Sequence, residues 1–162
     1  MEHGPLQNSG PVIRVPEGTE IQVSLRNFVP EKTLRIYGLH QRPGNAEGAI
    51  EVPMGTTREV RFTTGVAGTY FYWGTLTGKG LDARTAIKSQ LHGALVVDAP
   101  GGKADDRIFV LGHYLAEGDP KANPPWADLE TWVINGRSSP LTEQLTYRTG
   151  DLFQDLRTIE AL

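Results

Sequence analysis

Apolar and polar residues alternate over short stretches through most of this chain, as they do in β-strands with one buried face. Residues 20–27 show this most clearly, because every second side chain from Ile21 to Leu25 is apolar. Residues 58–62 repeat the alternation, with Val60 and Phe62 facing inward. In the first part of the chain the pattern predicts strands at 12–15, 20–27, 33–39, 58–62, 68–75 and 90–98.

The densest aromatic run lies in residues 68–75, between a turn at Gly68 and a stop at Gly74. Aromatic and β-branched side chains favour strands, so this stretch is predicted to be the buried central strand of a sandwich. Residues 41–55 carry two prolines and three glycines and are predicted to be loop. Residues 82–88 have the composition of one or two helical turns, with Asp82 as N-cap.

A Gly-rich linker at 100–103 divides the chain into predicted domains 1–103 and 104–162. Strands are predicted at 106–114 and 131–136, with a third at 145–148. Three strands do not readily form an independent sandwich, so this half is expected to pack against the first domain or against another chain. Asn135-Gly136-Arg137 predicts a turn with positive backbone angles.

The tail at 151–162 changes period, because its apolar residues recur at helical spacing behind Gly150-Asp151. This spacing predicts a short amphipathic C-terminal helix. The apolar positions of this helix are Leu152, Phe153, Leu156, Ile159 and Leu162.

Composition narrows the class of protein. The 162 residues include 19 glycines and 11 prolines without a repeat period, which favours an all-β fold. The net charge of −3 has both signs interspersed, so neither nucleic acid nor an anionic membrane is an expected partner. Cysteine is absent, which excludes disulfides, iron–sulfur clusters, thiolate zinc sites and thiolate-ligated copper within the chain.

Several short motifs follow one another along the first part of the chain: residues 10–15 with Glu17-Gly18, then 25–27, Gly38-Leu39, 67–72 and 93–97. In this order they resemble the first cupredoxin domain of the multicopper oxidases, the laccase-like enzymes. Residues 110–113 and 133–137 resemble the entry into the next such domain. The resemblance implies a Greek-key β-sandwich of cupredoxin type, followed by a partial second cupredoxin unit and the C-terminal helix. It also implies a periplasmic or secreted location.

In that family, two His-X-His pairs of the first domain bind a three-copper cluster that reduces dioxygen to water. Alternate residues of a strand share a face, so each pair presents two imidazoles side by side. The positions that match these ligands are Arg35 and Tyr37, then Trp73 and Thr75. Arginine is always charged and the indole is only a donor, so neither Arg35 nor Trp73 can ligate copper. The sequence therefore predicts no catalytic residue and no copper cofactor of the family's type within this chain.

The histidines of the chain do not replace the missing pairs. His3, His40, His92 and His113 form no i, i+2 or i, i+4 pair, which leaves the last three as weak metal candidates. We expect His40 to be a loop residue and His92 and His113 to be hydrogen-bonded residues at strand ends. Trp126 and Trp132 would be anchors between the two halves or ordinary core residues.

Three functional hypotheses follow. In the first, the chain is a ligand-depleted cupredoxin domain that serves as a scaffold or interaction module of a truncated oxidase. In the second, it is part of a copper-dependent laccase-like oxidoreductase whose copper sites are completed by other segments or subunits. A carbohydrate-binding sandwich, suggested only by the aromatic run, is the third. Exposed strand edges and the apolar helix face predict a homo-oligomer.

Overall fold

The computed structural model describes residues 10–40, 48–80, 91–102, 107–116, 118–119, 121, 123, 129–146, 148–149 and 159–161. Within these ranges all regular structure is β-strand, as the composition predicts. The strands are β1 (Ile13–Pro16), β2 (Glu20–Arg26), β3 (Leu34–Tyr37), β4 (Ile50–Val52), β5 (Thr57–Thr63), β6 (Gly68–Thr75), β7 (His92–Asp98), β8 (Val110–Ala116), β9 (Leu129–Ile134) and β10 (Ile159–Ala161). The described ranges contain no helix long and apolar enough to span a bilayer.

Two sheets form the sandwich of the first part of the chain. One has five strands in the order β1-β7-β6-β3-β4, and the other consists of β2 and β5. β1 pairs with β7 in parallel, whereas β7–β6, β6–β3, β3–β4 and β2–β5 are antiparallel. The aromatic run thus forms a central strand, β6, as its composition predicts.

The core lies between these two sheets. Ile21, Val23 and Phe62 of the two-stranded sheet meet side chains of the five-stranded one. The partners on the five-stranded sheet are Ile13, Val15, Tyr70, Leu95 and Val97. Burial of one such aliphatic side chain contributes about 1.5–3 kcal/mol. The alternation along β2 and β5 therefore buries the residues that the sequence pattern predicts.

The prediction that residues 41–55 are loop is wrong at β4. Ile50 pairs with Ile36 and Val52 with Leu34, in an antiparallel ladder at the edge of the five-stranded sheet. Val52 is completely buried. Two β-branched residues at alternate positions are enough for this short strand because a partner strand is already in place.

The second part of the chain forms a separate three-stranded sheet in the order β10-β8-β9. β8 and β9 are antiparallel. The predicted turn after β9 is confirmed, because Asn135 and Gly136 have φ values of 49° and 75°. Backbone hydrogen bonds between Ile134 and Arg137 close this turn.

The third strand of this sheet is not the predicted one. Of residues 145–148, those described lie outside any strand. Instead Ile159–Ala161, within the predicted C-terminal helix, pairs in parallel with β8. The helix prediction is thus wrong for these three residues, because a spacing of three or four does not reveal a strand partner far away in the chain. The remainder of that segment, 151–158 and 162, and the helical turns predicted at 82–88 lie outside the described residues.

Candidate functional site

The strand register brings together all of the positions that match the copper ligands of the resembled family. Arg35 of β3 lies opposite Thr75 of β6, and Tyr37 lies opposite Trp73. Residues two apart on a strand share a face, so these side chains occupy one face of the sheet. Trp73 lies an odd number of positions from Tyr70, so this is the face turned away from the sandwich core.

Two of these positions form an aromatic stack. The rings of Tyr37 and Trp73 are parallel to within 16°, with centroids 4.3 Å apart. Trp73 is only 8% exposed. A cross-strand aromatic pair of this kind contributes about 0.5–1.5 kcal/mol beyond the area that it buries. The pair therefore stabilises the packing of β3 on β6.

The other two positions hold an ion pair and a buried hydroxyl. Arg35 Nε donates to Glu51 Oε1 at 2.8 Å, which joins β3 to β4. Both side chains are substantially exposed, so this pair contributes no more than about 1 kcal/mol. Thr75 is fully buried, and its Oγ1 accepts a hydrogen bond from the backbone N–H of Thr77 at 3.2 Å.

These residues do not fit a copper cluster. Imidazole nitrogens and soft sulfur atoms are the side-chain ligands that suit copper best, and these positions offer neither. The guanidinium of Arg35 keeps its positive charge and would repel Cu²⁺. The indole of Trp73 has no lone pair for a metal, and its face is covered by the Tyr37 ring. The site is thus a packing and charge cluster, which we call the β3–β6 cluster: Arg35, Tyr37, Trp73 and Thr75 together with Glu51.

The structure places the candidate histidines on different parts of the chain, with His92 of β7 opposite Trp73 of β6. His40 follows β3 and is half-buried. His92 starts β7 and is buried, with its ring 5.8 Å from that of Phe71. Among the residues that the structure describes, no three His, Cys, Asp or Glu side chains are grouped in a way that would hold a metal ion. His3 is outside the described residues.

His113 is not at a strand end, as the sequence predicts, but inside β8. Its ring stacks on Trp132 of β9, with centroids 4.5 Å apart. Its Nε2 lies 2.8 Å from Glu130 Oε1, which is the distance of an ion pair. This nitrogen is buried and makes no hydrogen bond with the described residues. The prediction for His113 is therefore wrong about the strand end, and its hydrogen bonding stays a prediction.

Glu51 and Tyr72 are residues that the sequence does not single out. Glu51 is missed because its strand, β4, is predicted to be loop. Tyr72 lies on the core-facing side of β6 and donates a hydrogen bond to the carbonyl of Pro11 at 2.7 Å. Burial raises the pKa of the Tyr72 phenol to about 12. A Cβ added to Gly93 would collide with the Tyr72 ring, so the glycine makes room for it.

The comparisons with known proteins agree with this fold. A family model described as multicopper oxidase matches residues 7–101, more than half of the chain. A comparison with curated protein sequences found no match.

Three solved structures illustrate the likeness. The Blue Copper Oxidase from Nitrosomonas europaea is 23% identical, with a TM-score of 0.61, over 90% of this chain and 49% of that one. The Multicopper Oxidase mgLAC is 23% identical, with a TM-score of 0.61, over 90% of this chain and 50% of that one. The copper nitrite reductase from Nitrosomonas europaea is 22% identical, with a TM-score of 0.50, over 65% and 38%.

Structural likeness at these identities shows a shared cupredoxin-like fold. The chain spans about half of the length of the first two of these proteins. The family itself is shown by the match over residues 7–101. On that ground this chain belongs to the multicopper oxidase family.

Proposed function

We propose that this chain is a cupredoxin module of the multicopper oxidase type that folds and works without copper ligands of its own, as a scaffold or interaction module. The observation that carries the proposal is the β3–β6 cluster. The register of β3 on β6 brings the ligand-matching positions to one place, and the residues there interact with each other and with Glu51.

The energetics of the cluster support this proposal. A set of imidazoles facing each other without metal would leave unsatisfied nitrogens on a largely buried face, at a cost of about 1–3 kcal/mol for each buried group. The stack of Tyr37 on Trp73 and the pairing of Arg35 with Glu51 avoid that cost. The cluster therefore stabilises the sheet in the absence of metal.

Copper loading tests the proposal directly. The purified chain is incubated with excess Cu²⁺, dialysed against a weak chelator and analysed for metal. We expect well under about 0.1 equivalent of retained copper, because the cluster offers no imidazole or thiolate. One equivalent of tightly held copper in the wild-type chain would contradict the proposal.

A matched variant shows that the assay can detect a site at this place. Arg35→His, Tyr37→His, Trp73→His and Thr75→His together put imidazoles at the cross-strand positions. We expect this variant to retain copper under the same dialysis, provided that circular dichroism shows an intact β-fold. Tyr37→His with Trp73→His is the smaller variant if the larger one does not fold.

The alternative is that the chain is part of a copper-dependent laccase-like oxidoreductase whose copper sites are completed by other segments or subunits. The observation that favours it is the share of the related chains that this chain spans, about half. Copper analysis of the native assembly, together with oxidation of a phenolic dye, separates the two proposals. Stoichiometric copper and dye oxidation in that assembly would favour the alternative.

We also propose that the chain forms a homo-oligomer, because its sheets have edge strands that could pair with another chain. Both β9 and β10 are edge strands of the three-stranded sheet within the described ranges. Edges of this kind pair readily with other chains. The molar mass in solution tests this proposal independently of the copper measurement.

A further inference from the structure

Met54 lies at the corner of the turn that joins β4 to β5. Thr56 N–H donates to the carbonyl of Pro53 at 3.1 Å, and Gly55 has a φ of 72°. This hydrogen bond, with a left-handed glycine at the third position, is typical of a type II turn in which Met54 is the second residue. Met54 is 53% exposed, so small solutes have access to its side chain.

A second segment, which follows β2, is bound to this turn through the backbone. Gly55 N–H donates to the carbonyl of Asn27 at 2.9 Å, and Asn27 N–H donates to the carbonyl of Thr56 at 3.3 Å. These hydrogen bonds fix the turn against the segment that carries Glu31. The relative position of Met54 and Glu31 is therefore set by the backbone and not by the two side chains alone.

The thioether of Met54 accepts a hydrogen bond from this second segment. Glu31 N–H donates to Met54 Sδ, with 3.1 Å between nitrogen and sulfur. Glu31 has a φ of +57°, in the left-handed region that residues with a side chain rarely adopt. A thioether is only a weak acceptor. The sulfur thus serves as the hydrogen-bond partner of a strained backbone position.

This hydrogen bond makes the two sides of the sulfur different. A thioether sulfur has two lone pairs, and an oxidant that adds oxygen to one or to the other gives one or the other epimer of the sulfoxide. The Glu31 N–H engages one lone pair, and its backbone shields that side. We propose that Met54 is a modification site, at which a hydroperoxide oxidises the sulfur from the opposite side and forms one sulfoxide epimer in excess.

The reaction needs only the peroxide as its oxidant. A sulfur lone pair attacks one peroxide oxygen, and the O–O bond breaks as the S–O bond forms. The proton of the transferred oxygen passes to the departing hydroxide, which leaves as water. Sulfur loses two electrons and the peroxide gains them, which gives the sulfoxide.

Oxidation would also remove the partner of the Glu31 amide. The lone pair that stays on a sulfoxide sulfur is a poorer acceptor than that of a thioether, because the new oxygen withdraws electrons from it. The strained backbone at Glu31 then loses a hydrogen bond, so the modification reports on the segment after β2. This proposal rests on groups of the first sandwich alone and does not depend on the proposed function.

The first test is treatment of the full chain with hydrogen peroxide, followed by peptide mapping with mass spectrometry. Met54 is the single methionine besides Met1, so the oxidised peptide is assigned without ambiguity. Two methionine sulfoxide reductases, each specific for one epimer, then measure the epimers in the digest. We expect at least about a tenfold excess of one epimer from the folded chain and about equal amounts after oxidation in concentrated urea. Equal amounts from the folded chain, or no oxidation of Met54, would overturn the proposal.

A methionine on another exposed turn is the matched control. Val66 is 73% exposed, so Val66→Met in a Met54→Leu background presents a thioether of similar accessibility. We expect its two sulfoxide epimers in about equal amounts, because the Glu31 amide is not its partner. An excess at this position as large as that at Met54 would show that exposure on a folded surface is sufficient, and would overturn the role of Glu31.

Hydrogen exchange at the Glu31 amide tests the hydrogen bond itself. Oxidation of the wild-type chain should speed the exchange of this amide at least about fivefold. Met54→Leu keeps a similar shape but removes the acceptor, so it should have the same effect without gaining oxygen. The Asn27 amide, which donates to Thr56, is the internal control and should keep its rate. An unchanged rate at Glu31 in either form would overturn the proposal.

Discussion

Gly38, which directly follows β3, is a residue that no other amino acid can replace without strain. Its φ is +84°, in the left-handed region that side chains rarely adopt. A Cβ there would also lie 2.8 Å from Tyr72 Cα and collide with the carbonyl oxygen of Phe71. Both obstacles are backbone atoms of β6, so they cannot move aside as the tip of a side chain would. The glycine thus allows the chain to leave β3 against the central strand.

We expect Gly38→Ala to destabilise the fold by about 2–5 kcal/mol, which sums left-handed strain and overpacking. Gly18→Ala is the matched control, because Gly18 has φ +77° but nothing within 4 Å of an added Cβ. It should cost only the strain, about 1–2 kcal/mol. Urea unfolding of both variants measures the difference. Equal losses in the two variants would show that the contact with β6 does not matter.

Tyr72 makes the fold less stable at alkaline pH. Burial raises the pKa of its phenol from 10.0 to about 12, so the folded state favours the neutral form. The unfolded chain loses this proton near pH 10, and the folded chain keeps it until about pH 12. The stabilisation of the folded state by the neutral Tyr72 phenol is therefore complete below pH 10, and it is lost as the pH rises to about 12. Because the side chain is partly exposed, we expect a loss of about 1–2 kcal/mol.

The Tyr72→Phe variant isolates this contribution. It removes the titrating group together with the hydrogen bond to Pro11, which lowers stability by a constant amount at neutral pH. Above pH 10 its stability should fall less steeply than that of the wild type. Unfolding free energies measured from neutral pH to pH 11 give the two slopes. Parallel curves would be inconsistent with a raised pKa at Tyr72.

The sequence identifies the residues of the β3–β6 cluster but not their partners. Arg35, Tyr37, Trp73 and Thr75 follow only from the family resemblance, as the positions that match its copper ligands. That Arg35 meets Glu51 depends on the pairing of β3 with β4, which nothing in the local sequence specifies. Partners across strands are set by register, and register is a property of elements.

Among the elements, strands with a strict alternation were predictable because their own side chains define the buried face. β2 and β5 show five or more residues of alternation and form where the pattern places them. β4 and β10 have three residues each, too few for a period to be distinguished. Such short strands exist because a longer neighbour offers free hydrogen-bonding groups.

Asn27 shows how β4 is held in place. Its side-chain nitrogen donates to the carbonyls of Val52 and Lys32, each at 2.8 Å, and its Oδ1 accepts from Val29 N–H. The residue is almost completely buried, so these groups would be costly to leave unpaired. Asn27 stands in one of the motifs that carry the family resemblance. The sequence thus contains the residue that fixes β4, although the pattern of β4 itself is too short to predict.

At the scale of the whole molecule, the two sheet systems meet where β8 passes over β7. A Cβ on Gly112 would lie 3.4 Å from His92 Cε1 and 2.9 Å from Val133 Cγ2. The absence of a side chain at Gly112 therefore allows close packing of the three-stranded sheet on the outward face of the first. His92, a metal candidate from the sequence, occupies this contact as a packing residue. Its neighbour Gly112 is twenty residues away along the chain, which is why the contact was not predictable from local pattern.

Gly112→Val is the change that tests this contact. The added side chain would push into His92 and Val133, and overpacking of this kind costs about 1–3 kcal/mol. The core between the two sheets of the sandwich does not include Gly112, so it should remain intact. We therefore expect the three-stranded sheet to loosen while the sandwich stays folded. In hydrogen exchange, amides of β8 and β9 should exchange faster, and those of β6 and β7 should keep their protection.

Gly102→Val is the control for this experiment, because the nearest atom to a Cβ at Gly102 is the Ala99 carbonyl oxygen at 3.7 Å. It should leave the exchange of every strand unchanged. If Gly112→Val instead increased exchange equally in β6, β7, β8 and β9, the two sheet systems would unfold as one cooperative unit. The second sheet would then be an integral part of the first domain, because a separable unit would lose its own protection first.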